Sequence, residues 1–126
     1  GKERLSNLTC VIDRNNIQID GRTEDVMPLE SFKEKYQAFN WNVIEINGHD
    51  FSQIIAAVHE ARAVYEKPTV IIAHTIPGKG VSYMEHDYRW HGNPPGLVDV
   101  SGSPPKSEQV HAALMELRAA ARKIKS

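Results

Sequence analysis

The sequence lacks most features that would take it beyond an ordinary globular unit. A single cysteine, Cys10, stands among 126 residues, which excludes an intrachain disulfide and fits a reducing compartment. No apolar run approaches the ~20 residues of a membrane-spanning helix, and the first residues carry no signal-peptide pattern. A cytoplasmic location is expected, with no membrane partner. Neither sign of charge dominates: 15 Lys and Arg against 16 Asp and Glu leave a net charge of −1, too weak a field to draw in nucleic acid. Repeats and low-complexity tracts are absent as well. What is there, 40% apolar and 25% charged residues, suffices for one core.

The apolar pattern predicts alternating strands and helices. Leu8–Ile12, Asn42–Ile46 and Thr69–Ala73 are short β-branched runs that read as buried strands. Leu29, Phe32, Tyr36 and Phe39 recur at helical intervals, with Pro28 suited to a first turn. Asp50 followed by Gln53 reads as a capping box for a helix whose Phe51, Ile54, Ile55, Val58 and Tyr65 share a face. A last helix is expected from Ser107 to Lys125, with Val110, Leu114, Leu117 and Ile124 on one stripe and a basic end suited to the helix dipole. Continuously apolar strands separated by helices predict an α/β fold, a parallel sheet flanked by helices.

In such sheets ligands bind beyond the carboxyl ends of the strands. Two polar segments fall there: Asp13–Asn16, and His74–His91 within the long Gly-, Pro- and His-rich stretch from His74 to Ser103. Asp and Asn form turns readily, so "DRNN" has a plain turn reading. Its other reading is a hard-cation site, in which an Asn amide oxygen and a backbone carbonyl act as neutral donors beside substrate phosphates. Asp20-Gly21 reads as a turn. Gly78-Lys79-Gly80 has the flexible, basic character of a phosphate-contacting loop but lacks the full phosphate-binding pattern. The spacing of His74, His86 and His91 matches no standard zinc site. Composition and spacing reach an α/β domain with a polar site, open to a phosphorylated ligand.

Read together, "VIDRNNIQIDG", "KPTVIIAHTIPGKGVSYME" and "WHGNPP" resemble the thiamine-diphosphate-binding domain of transketolases, in the form whose amino-terminal half is a separate subunit. The resemblance runs from about Leu5 to Pro95. It implies a thiamine-diphosphate-binding fold in which Mg²⁺ or Ca²⁺ holds the cofactor's diphosphate. On the matching positions it implies that Asn15 gives a side-chain ligand to the metal and Ile17 a backbone carbonyl. Ile76 is implied to pack near the thiamine ring, and His91 to contact the cofactor and assist proton transfer. Asp13 is implied to play a supporting part.

The resemblance also marks what is missing. The family's Gly-Asp-Gly motif is absent from all 126 residues, as is the glutamate that activates the cofactor, which the family carries in a pyrimidine-binding domain. The expectation is that residues 1–126 are the carboxy-terminal portion of the cofactor domain, left by truncation, proteolysis or a split gene. A partner subunit carrying the pyrimidine-binding domain is implied, in a hetero-oligomer with active sites formed across a dimer. The implied reaction is transfer of a two-carbon ketol unit between sugar phosphates, with no activity for the chain alone. A deoxyxylulose-phosphate-synthase-like enzyme and a non-catalytic α/β interaction module are the alternatives. As a three-stranded piece, the chain is expected to expose a sheet edge and an apolar face.

Overall fold

The computed structural model describes residues 1–124. In chain order the strands and helices of its first part are β1 (Thr9–Arg14), β2 (Ile17–Gln18), β3 (Gly21–Arg22) and α1 (Thr23–Val26). Next come α2 (Phe32–Ala38), β4 (Asn42–Asn47), α3 (Phe51–Arg62), β5 (Thr69–His74), a 3-10 turn at Tyr88–Trp90 and α4 (Lys106–Ile124). The expected helix end at Lys125 lies outside the described residues. The chain divides into two compact units. One joins Gly1–Asn15 to Pro28–Thr75, and the other joins Asn16–Met27 to the chain from Ile76 onward.

The first unit is built on a three-stranded parallel sheet of order β1-β5-β4. β5 is central, and its unbroken β-branched run leaves every residue from Thr69 to Ala73 buried, as a strand covered on both faces requires. Ile44 and Ile46 of β4 meet Ile71 and Ala73 of β5 beneath Ala57 and Ala61 of α3, with Ile54 packed against this core. β1 is a strand but not a buried one. Its side chains alternate in exposure and Val11 is 64% exposed, although it stands in register with buried Ile71 and Ile44. An edge strand has a neighbour on one side only, so its faces are less covered than those of a central strand.

Helix details also depart from the periodicity. α2 starts three residues after Leu29, where Ser31 caps the Glu34 amide at 3.3 Å, so Pro28 is not in its first turn. Asp50 does cap α3, accepting from the Ser52 and Gln53 amides at 2.8 and 3.2 Å. Gln53 does not complete a capping box: its amide donates to the Asp50 carboxylate and its oxygen accepts from the Asn47 amide at 2.8 Å. The face of α3 that docks is Ile54, Ala57 and Ala61, because small side chains let the helix approach the sheet closely. Phe51, Ile55, Val58 and Tyr65 stay exposed, Phe51 at 80%.

In the second unit β2 and β3 form a short antiparallel hairpin whose turn is Ile19–Asp20, with Gly21 already in the ladder. The stretch from Ile76 to Ser103 contains one 3-10 turn and is otherwise organised by local hydrogen bonds. On α4 the buried positions are Gln109 and Ala113, not the apolar stripe. Val110 and Leu117 of that stripe instead lie over Gly96 and Gly80, whose bare backbones leave room for them. No helix among the described residues is long and apolar enough to cross a membrane.

Candidate functional site

Because β1 pairs with β5 through Arg14↔His74, Asp13 and Arg14 belong to the strand and only Asn15 and Asn16 leave it. Asp13 accepts a hydrogen bond from the hydroxyl of Thr75, the residue just after β5. The Thr75 amide in turn donates to the Arg14 carbonyl at 3.2 Å. The Arg14 side chain, 5% exposed, runs to Glu30, with Nε at 2.8 Å and Nη2 at 2.7 Å from the same carboxylate oxygen. Its guanidinium also sits 5.3 Å from the centre of the Phe32 ring. The strand end that presents Asn15 is thus fixed through backbone and side chain together. Asn16 turns the chain away with φ of 65°, a left-handed conformation that Asn tolerates better than most residues.

Gly48 abuts this end of the sheet. Its amide donates to the His74 carbonyl at 2.8 Å, and a Cβ there would lie 2.5 Å from the Thr75 methyl. Beside it, His74 and Lys33 approach the Glu45 carboxylate at 3.2 and 3.1 Å. The hydrogen bond from Lys33, then that from His74, holds the Glu45 carboxyl below the usual range.

In the second unit Gly78 is at φ 73°, and a Cβ would stand 2.7 Å from the Met84 backbone, so the "GKG" turn needs this glycine. Glu85 folds back into that turn, accepting from the Gly80 amide at 2.9 Å with the Lys79 ammonium 3.9 Å away. Lys79 therefore has an acidic neighbour where the sequence reading has a phosphate contact.

His91 ends the 3-10 turn and donates its amide to the Tyr88 carbonyl at 2.8 Å. The turn is anchored by Trp90, which is buried. Its indole donates to the Tyr83 carbonyl at 3.0 Å, and its ring meets Tyr83 edge-on. Asp87 caps the turn and grips the Arg89 guanidinium, with a shortest contact of 2.6 Å. That hydrogen bonding from Arg89 lowers the Asp87 carboxyl. His91 opens on a cavity of about 380 Å³ shared with Ile19, Tyr88, Arg89, Asn93 and Asp99.

Of the residues singled out by the sequence, Asn15 closes the first unit while Ile17, Ile76 and His91 belong to the second. The sequence reading missed two supports. One is the Arg14–Glu30 pair. The other is Gln109, a polar residue one helical turn before Ala113 on the buried side of α4. That polar side chain among buried positions was the only available signal.

Asn15 and Ile17 offer neutral oxygens, one amide and one carbonyl. Among the described residues no cluster of three His, Cys, Asp or Glu could hold an ion alone. Neutral oxygens of this kind suit a hard cation whose charge is balanced by an anionic ligand such as a diphosphate.

Parallel strands covered by helices, with polar turns at their carboxyl ends, define an α/β ligand-binding domain. A family model described as "Transketolase, thiamine diphosphate binding domain" matches residues 1–107, and the chain belongs to that family. It is 46% identical over 92 residues to an apulose-4-phosphate transketolase subunit of Phocaeicola vulgatus, covering 73% of this chain and 33% of that one. It is 42% identical over 85 residues to the 6-deoxy-6-sulfo-D-fructose transketolase subunit SqwG of a Clostridium species, covering 68% and 31%. The solved transketolase of Campylobacter jejuni superposes with a TM-score of 0.64 at 25% identity, covering 99% of this chain and 22% of that one. The chain thus spans about a third of the length of the two subunit relatives.

Proposed function

We propose that this chain forms part of a transketolase-type transferase that moves a two-carbon ketol unit between sugar phosphates. The observation that carries the reading is a family match whose span, residues 1–107, takes in both Asn15 and His91. Thiamine diphosphate, when bound, supplies the carbanion that accepts the ketol unit. The Asn15 amide oxygen and the Ile17 carbonyl are the residues that hold Mg²⁺ or Ca²⁺, and Ile76 packs beside the thiamine ring. The His91 imidazole moves a proton to and from a sugar hydroxyl, a task suited to a ring that both donates and accepts. The chain's place in its protein is the carboxy-terminal portion of the cofactor domain.

The names of the two relatives, each a transketolase subunit, support a partner. That partner subunit carries the pyrimidine-binding domain, and the chain is inactive without it. Calorimetric titration of thiamine diphosphate with Mg²⁺ into the chain, alone and with the partner subunit, tests the reading. Binding only in the presence of the partner is the expected result. Absence of binding in both cases overturns the cofactor role of this chain.

A further inference from the structure

We propose that Arg14 and Glu30 form a positioning clamp for the Asn15 amide oxygen, so that Glu30, sixteen residues along the chain, sets divalent-cation affinity. The inference rests on the reading of Asn15 as a cation ligand. Its argument begins with the cost of a buried charge. The Arg14 side chain is 5% exposed, and a guanidinium so far from water needs a partner with good geometry. Glu30 provides one, meeting Nε and Nη2 at 2.8 and 2.7 Å with a single carboxylate oxygen.

The second oxygen of Glu30 accepts from the Phe32 amide at 3.3 Å, which ties the pair to the start of α2. Phe32 then presents its ring face to the guanidinium. Residue 14 is also fixed through its backbone, by the ladder to His74 and by the Thr75 amide on its carbonyl. The next Cα is Asn15, ~3.8 Å on, and the ladder stops before it. Whatever direction Arg14 is held in is passed directly to Asn15.

A second use for Arg14, as a direct contact for a phosphate, is disfavoured by the same geometry. The side chain is 5% exposed and two of its nitrogens already serve a carboxylate, which leaves an anion little access to the fork. The pair therefore acts through its neighbour, as residues supporting a metal ligand generally do. Loss of such support costs ~10–100-fold in metal affinity.

The test uses the assembled protein that contains this chain, with Glu30→Gln, Arg14→Lys and Asn15→Ala variants. Mg²⁺ is titrated at fixed thiamine diphosphate, and the cofactor's dissociation constant is measured again at saturating Mg²⁺. Glu30→Gln is expected to weaken Mg²⁺ ~10-fold or more, with cofactor binding restored once Mg²⁺ is raised. Arg14→Lys, which keeps the charge and loses the fork, falls between it and wild type. General destabilisation would appear instead as a lowered melting temperature of the metal-free protein. If both variants bind Mg²⁺ within about twofold of wild type while Asn15→Ala has lost it, the clamp is wrong and the ligand assignment stands. If Asn15→Ala binds Mg²⁺ as wild type does, the ligand assignment falls and takes the clamp with it.

Discussion

The Tyr83 hydroxyl donates to the backbone carbonyl of Gln109 at 2.8 Å, and the Trp90 indole donates to the carbonyl of Tyr83 itself. Gln109 is 0% exposed and serves the Val98–Pro104 segment as well. Its amide nitrogen donates to the Val98 carbonyl at 2.9 Å and to Ser103 and Pro104 at 3.2 Å, and its oxygen accepts from the Gly96 amide at 2.8 Å. One buried side chain thus replaces the regular secondary structure that this stretch lacks.

Gln109→Leu should be costly, because it takes this partner from the part-buried Gly96 amide and Val98 carbonyl. A loss of ~2–4 kcal/mol in denaturant unfolding of the assembled protein is expected. Hydrogen exchange should speed at Gly96 and at Trp90. An unchanged midpoint and unchanged exchange would count against the role given to Gln109.

Glu45 predicts an acid-side pH dependence. Lys33 and then His74 hold its carboxyl below the usual range, so the folded state takes up this proton less readily than the unfolded chain. The pairing contributes fully above the unfolded value of ~4.3 and is lost as pH falls through the lower, folded value. Glu45→Gln should lower stability at neutral pH, where the pairing contributes in full, and converge on wild type at the acid end, so that its profile is flatter across that window. Melting curves between pH 3 and pH 7 read this directly.

Gly78→Ala should strain the "GKG" turn, since φ is 73° and the added methyl meets the Met84 backbone. About 1–3 kcal/mol of destabilisation is expected. Gly102 has φ of 91° with nothing within 4 Å of a Cβ, so Gly102→Ala pays the backbone term without the clash. Comparing the two melting temperatures separates collision from conformation.

His91→Ala should lower kcat by ~10²-fold or more with a sugar-phosphate donor. The buried Trp90 and its bond to Tyr83 leave the turn itself intact, so the melting temperature should move little. Loss of folding in place of turnover would return His91 to a structural part.

How much could be read in advance depends on where information is local. β5 was legible because a central strand hides both faces and so writes itself as an unbroken β-branched run. The Asp50 cap was legible because capping spans three residues. Of the docking face of α3 only Ile54 was, since Ala57 and Ala61 matter through smallness and not through apolar bulk. The β2–β3 hairpin has two residues a strand, too few to alternate visibly. Within the candidate site, Asn15 stood out as a polar residue at a strand end. The Arg14–Glu30 pair did not, because contacts between distant residues leave no periodic mark.

Among the described residues β5 alone has a strand on each side, so β1 is an edge of this sheet. Cys10, half-buried near the start of that strand, is this chain's only thiol. It is therefore a native reporter of what lies along β1. Its rate of alkylation measures, without any introduced label, how freely solvent reaches that strand.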